Sequence, residues 1–326
     1  MTEITQTTKP TNSDFDQQAI NKKSYSEYQK FMKVETERVF YHVNELCKKV
    51  YEEFIGAEGT KKNLRPPNAN FEDLDNADNF RMLAYYDNYY DNSITFCPDA
   101  YKLFSAMKKF ESERNNKMYE KARLSLDITI GHELGHALLD SIEHDVIAKD
   151  TQGFPFYLPY RNQDRSINEN GRKVHESIAQ AVGIYVSQSL RGLPTDSASL
   201  SAFMLERTKG NICKATELYD DLMHKLDTYN KLEALELERR VNSDWETLLV
   251  YEYPRVGAAK AWRTSSTPIE SFIKGAFAHA ANFEDMNRYV LDKDGHITAA
   301  NEKFARADLK TKMTMATSIF KEISEA

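Results

Sequence analysis

ITIGHELGHALLDSIEHD, residues 128–145, holds three histidines, two glutamates and two aspartates within eighteen positions. His132 and His136 stand four apart, so on a helix their side chains leave the same face one turn apart. Two neutral imidazoles at that spacing can share one zinc ion. Ile130, Leu134, Ala137 and Leu138 fall on the opposite side of the wheel, so the helix can bury its back and turn its histidines to a cleft. Glu133 lies off the ligand axis, within reach of a water at the metal. The competing reading is a pair of surface histidines on a charged helix face.

Outside this stretch the chain is ordinary. Hydrophobic residues make up 41% and charged residues 29% of 326, which suits a globular protein with a real core. A net charge of −7 argues against nucleic acid as a partner, because neutralising phosphates needs clustered Lys and Arg. No apolar run approaches a membrane span, and no membrane partner is expected. The first residues, MTEITQTTKPTNSDFDQQ, read as a disordered polar tail over 1–20 without a secretory signal. Cytoplasmic residence, or export by a route without such a signal, is the expectation. Cys47, Cys97 and Cys213 form no CxxC pair, which argues against a thiolate site; all three read as small buried hydrophobes.

Apolar spacing predicts helices over 25–57, about 99–122, about 123–143 and 173–190. Residues 59–78 read as a loop. Two short strands are expected near 81–86 and 93–97, stopped by Pro98. Residues 146–172 form a long loop, and 191–199 are the best candidate for a linker between lobes. The rest reads as helices with breaks near Gly210, Pro254–Gly257 and Pro268. LDKDG (291–295) looks like part of a calcium loop, but Val290 and Asn301 stand where ligands are needed, so a turn is expected.

The wording His132-Glu-Leu-Gly-His136 resembles the HExxH zinc metallopeptidases, the zincins, over roughly residues 93–190. The resemblance implies an α+β, predominantly helical fold. Its zincin-like core over 21–192 would combine a short β-hairpin with the active-site helix, and a mostly helical C-terminal lobe would follow over 200–326. The metzincin branch places a glycine three residues and a histidine six residues after the second histidine; here those positions hold Leu139 and Ile142.

The third ligand is expected from another helix. Asp140 lies about 9 Å along the axis from residue 134, too far for a two-carbon side chain. Asp140 is instead a supporting partner of His136 or a solvated carboxylate. Residues 173–190 offer His175 and Glu176, of which only one can face the metal, since adjacent helix positions diverge by about 100°. Glu176 shares its side with Ala179, Gly183 and Ser187, small enough for close approach; His175 points toward Ile178, Val182 and Val186. Glu176-Ser-Ile-Ala179 resembles the helix that supplies the third ligand in the gluzincin branch. Gln180 stands where thermolysin-like members often carry an orienting Asp.

The resemblance implies peptide-bond hydrolysis with one Zn²⁺ per chain, a peptide or protein as substrate, and Glu133 as general base. Tyr157, Tyr160, His224 and His279 are available as oxyanion donors. Strand 93–96 is expected at a substrate-binding edge, with Tyr85, Tyr86, Tyr89 and Tyr90 nearby. Two other readings stand beside this one: a catalytically silent zinc-binding interaction protein, and an exported protease acting on a host or rival protein.

Overall fold

The computed structural model describes residues 12–74, 83–87, 92–147, 168–278, 284–292 and 295–325. The long helix α1 (Asn12–Ile55) buries Tyr28, Met32, Val39, Val43, Leu46, Val50 and Tyr51, a stripe at three- and four-residue spacing. It begins inside the stretch read as a disordered tail. Gly56 ends it at φ +71°, and a 3₁₀ turn (Gly56–Lys61) folds back so closely that a Cβ on Gly59 would meet the Tyr51 backbone.

Three short strands follow: β1 (Asn68–Phe71), β2 (Ala84–Asp87) and β3 (Ser93–Phe96). The sheet order is β1-β3-β2, with β1 parallel and β2 antiparallel to β3. β1 was read as loop. Asn-rich NANF has little strand propensity, and its pairing with β3 overrides that. The expected edge strand, β3, is the central one; β1 and β2 are the edges.

Helix α2 (Pro98–Ser112) starts on its proline. The break before the next helix falls at 113–115 rather than near 122. Arg114 turns to φ +55°, and Asn115 caps α3 (Asn116–Ile142) by accepting from the Met118 N–H. One π-helical turn, Glu143–Ile147, extends α3. Asn168 then caps α4 (Glu169–Ser189) through the Gly171 N–H.

Beyond α4, Asp196 caps α5 (Ser197–Met223), which continues through Gly210 without the expected break. The break comes at 224–230. Helix α6 (Lys231–Thr247) passes through a π-helical turn, Leu248–Glu252, directly into α7 (Tyr253–Ser265). The remaining helices are α8 (Ile269–Ala278), α9 (Glu284–Leu291), α10 (His296–Arg306) and α11 (Leu309–Glu325). Asp292 of the LDKDG stretch accepts from the Ile297 and Thr298 amides and from the Thr298 hydroxyl, capping α10.

The protein is therefore predominantly helical with one small sheet. Its buried apolar residues form two clusters. The larger joins α1–α4 and the sheet to Leu200 and Met204 of α5 and to Trp262, Phe272, Ile273, Phe277 and Val290 of α7–α9. The smaller joins the far half of α5 to α6, α10 and α11. The turn after α4 does not separate them, because α5 runs through both and α7–α9 return to α1 and α4. Cys47 and Cys97 are buried as expected, but Cys213 is exposed. No described helix is long and apolar enough to cross a membrane.

Candidate metal centre

Helix α3 runs through the middle of the larger core. From Leu126 to Ile142 most of its positions are buried, including Asp127 and Glu133. It is thus enclosed nearly all round rather than carrying a polar face. His132 and His136 are only 12% and 17% exposed in their side chains, which removes the surface-histidine reading. An ion-pair network anchors the helix just upstream: Arg38, Arg123 and Arg191 converge on buried Asp127, and Glu35 of α1 pairs with Arg38 and Arg123.

α4 crosses α3 at unusually short range. A Cβ on Gly131 would lie 2.9 Å from Gly183 Cα, and one on Gly135 would lie 2.9 Å from Ala179 Cα. A Cβ on Gly183 would lie 2.5 Å from the Ile128 carbonyl oxygen. Only small residues permit this approach. They set Glu176, one turn before Ala179, directly beside the two histidines.

Glu176 Oε2 lies 3.2 Å from His132 Nε2 and 3.6 Å from His136 Nε2, and the two Nε2 atoms are 3.1 Å apart. Zinc held tetrahedrally by ligands at about 2.0–2.1 Å spaces those ligands about 3.3–3.4 Å apart. The triangle fits that requirement. Glu176 Oε2 is also buried, and the imidazoles of His132 and His136 are the polar groups it faces. Ligand atoms of His132, Glu133 and His136 lie within 4.8 Å of one another as well. Glu176 also offers a carboxylate oxygen within 3.6 Å of both imidazoles.

Burial, with His136 a smaller influence, holds His132 down to about 4. Burial also acts to lower His136, but the Glu176 carboxylate outweighs it and raises that imidazole to about 9. Burial acts to raise Glu176, yet the two histidines hold it well below the usual carboxylate range. Desolvation raises Glu133 to about 7, against the charge of His136 and the Tyr86 N–H that its carboxylate accepts.

That bond ties the site to the sheet. The Cys97 amide donates to the Leu83 carbonyl, so Leu83, Tyr85 and Asp87 face β3, and the Tyr86 amide faces the open edge of β2. The edge strand flanking the motif is thus β2, one strand over from expectation. Tyr86 is half-buried with its hydroxyl donating to Asn92, while Tyr85 is exposed; Tyr89 and Tyr90 lie outside the described residues.

His175, the alternative ligand, is engaged elsewhere: its Nε2 lies 2.7 Å from Glu143 Oε1 on the π-helical turn. Asp145 pairs with Lys62 and accepts from the Tyr51 hydroxyl, and His144 lies 3.3 Å from Asp145. Asp140 is partly buried and its charge acts on His136. Gln180 is buried, and no bond from it to either histidine is present among the described residues; His132 Nδ1 is buried without a partner there.

Of the four candidate oxyanion donors, Tyr157, Tyr160 and His279 lie outside the described residues. His224 is not at the site. It is exposed at the C-cap of α5, about 25 Å along that helix from Arg207, where the chain belongs to the smaller cluster.

The sequence reading missed a group of cations beside the triad. The charge of Arg255 acts on both His132 and Glu133, and that of Arg172 acts on Glu176. Tyr251, on the π-helical turn before α7, lies under both guanidinium groups. The only signal was the stretch YEYPR (251–255), where Pro254 suggested a break. Comparison with protein-family models, with curated proteins and with solved structures finds no match.

Proposed function

We propose that this protein is a zinc-dependent peptidase resembling the gluzincin branch of the HExxH enzymes, with His132, His136 and Glu176 holding one zinc ion and Glu133 as general base. The observation that carries this reading is the ligand triangle, closed by a buried carboxylate oxygen that faces both imidazoles. Zinc there would supply a water ionised near neutral pH and a Lewis acid for the scissile carbonyl.

Glu133 would hold the proton released by that water and return it to the leaving amine. Its desolvated setting suits this role, since a carboxyl raised to about 7 can both accept and return a proton near neutrality. The Tyr86 N–H holds the carboxylate in place from the β2 edge. Among the described residues β2 is an edge strand, which suits an extended peptide backbone.

The test is metal analysis of the purified protein together with peptide-library cleavage, for the wild type and Glu133→Gln. About one zinc per chain is expected in both. Cleavage is expected only in the wild type, falling by about 10²- to 10⁴-fold in the variant. Zinc without cleavage of any peptide or protein would favour a silent zinc-binding protein instead.

A further inference from the structure

Arg172 and Arg255 act on residues of the triad, and Arg207 stands behind Arg255. Arg172 sits one turn before Glu176 on α4, so it shares that face of the helix. Its Nη2 donates to the Tyr251 hydroxyl at 3.1 Å. Arg255, at the start of α7, lies 5.4 Å from the Tyr251 ring centroid, and its side chain is only 14% exposed. Arg207 of α5 reaches Ser125, two turns before His132 on α3, at 3.4 Å.

One buried carboxylate, Glu252, stands opposite Arg255 and also acts on Arg207. Glu252 accepts from Arg255 at 3.2 Å, and Asn211 leans on the same oxygen. Arg207 forms no ion pair among the described residues, and burial together with repulsion from Arg255 pulls its pKa below the usual value. Arg255 Nε is buried with no acceptor. Arg172 is exposed, and Tyr251, Glu176 and Glu246 all act on it. Glu176 is already committed to the histidines. A surplus of cationic donors, one with an unused N–H, therefore lies near the residues of the triad.

Guanidinium groups packed on an aromatic ring have fixed planes, which suits bidentate capture of a carboxylate. We infer that Arg255, backed by Arg207 and with Arg172 at the rim, forms a subsite beside the His132–His136–Glu176 triad that takes a carboxylate group of the peptide. This rests on the peptidase reading and deepens it by naming a substrate class. The carboxylate comes either from the peptide's C-terminus or from an Asp or Glu side chain.

Zinc-loaded Glu133→Gln protein, which would hold peptide without cutting it, allows a binding readout separate from activity. It is immobilised and offered three random hexapeptide libraries: with free C-termini, with C-terminal amides, and with C-terminal amides but lacking Asp and Glu. Retained peptides are read by mass spectrometry. Enrichment of the free-acid library identifies the C-terminus as the source; enrichment of Asp and Glu among the amides identifies a side chain.

Adding Arg255→Gln should weaken retention of carboxylate peptides about 10- to 100-fold, the effect of losing a charged hydrogen bond. Arg255→Lys should recover part of it, and zinc content should not change. Should Arg255→Gln fold poorly, exposed Arg172→Gln supplies the same test with a smaller loss. Peptide retention with no preference for carboxylate, or a preference that survives both substitutions, overturns the subsite. So does failure to retain any peptide. Wild-type cleavage of the neutral amide library, measured in parallel, tells whether the peptidase reading falls with it.

Discussion

Glu176 is the residue on which the candidate centre turns. Its Oε2 is close to both imidazoles, while the charge of Asp140 acts on His136 and His175 is held by Glu143. Removing one of three ligands from a zinc site costs far more than removing a supporting group, for which losses of about 10- to 100-fold are usual. Glu176→Ala should therefore abolish stoichiometric zinc binding, with Asp140→Ala losing at most about that 10- to 100-fold. Titration with a competing chelator measures both, and equal losses would remove Glu176 from the ligand set. His175→Ala should leave zinc affinity near the wild type and lower stability, because buried Glu143 loses the imidazole 2.7 Å away.

At the scale of elements, the crossing of α3 and α4 decides whether the ligands meet. Gly183→Ala would place a methyl 2.5 Å from the Ile128 carbonyl oxygen, which belongs to helix backbone and cannot swing aside. The helices must separate, at about 1–3 kcal/mol, as for other overpacked cores. Zinc affinity should fall along with the melting temperature, since Glu176 moves with α4. Gly210→Ala, which meets nothing within 4 Å, is the control and should stabilise α5 slightly.

Capping elsewhere carries a pH signature. Burial acts to raise Asp292, but the Thr298 hydroxyl and the Thr298 and Ile297 amides outweigh it and hold the carboxyl below 3.8. A group depressed on folding stabilises above its unfolded value and loses that contribution as pH falls through the folded one. Melting of Asp292→Asn should thus lag the wild type at pH 7, and the gap should close below about pH 4.

Across the whole molecule, the triad binds together α3 and α4, which pass through the larger core, so an ion there couples to global stability. Zinc at about a thousand times its dissociation constant adds about 4 kcal/mol. The expected rise in melting temperature is several degrees, reversed by chelator and absent in His132→Ala. An unchanged transition with zinc bound would mean that the centre opens independently of the fold.

Much of the centre was legible because it is local. The spacing of His132, Glu133 and His136 follows from helix period alone, and the small face of Ala179 and Gly183 marked the helix able to come close. The N-terminal helix and its end at Gly56 were legible for the same reason. What depended on partners far along the chain was not. β1 exists by pairing with β3, β3 is central because β1 lies beside it, and α7–α9 return to the first core after a long excursion. Arg207 and Arg255, far from the motif in sequence, join it for the same reason. Periodicity reports the face a segment must bury, while its partner is chosen by tertiary packing, and at this centre that packing turned the Glu176 carboxylate to both histidines while the His175 ring, stacked near His136, was taken by Glu143.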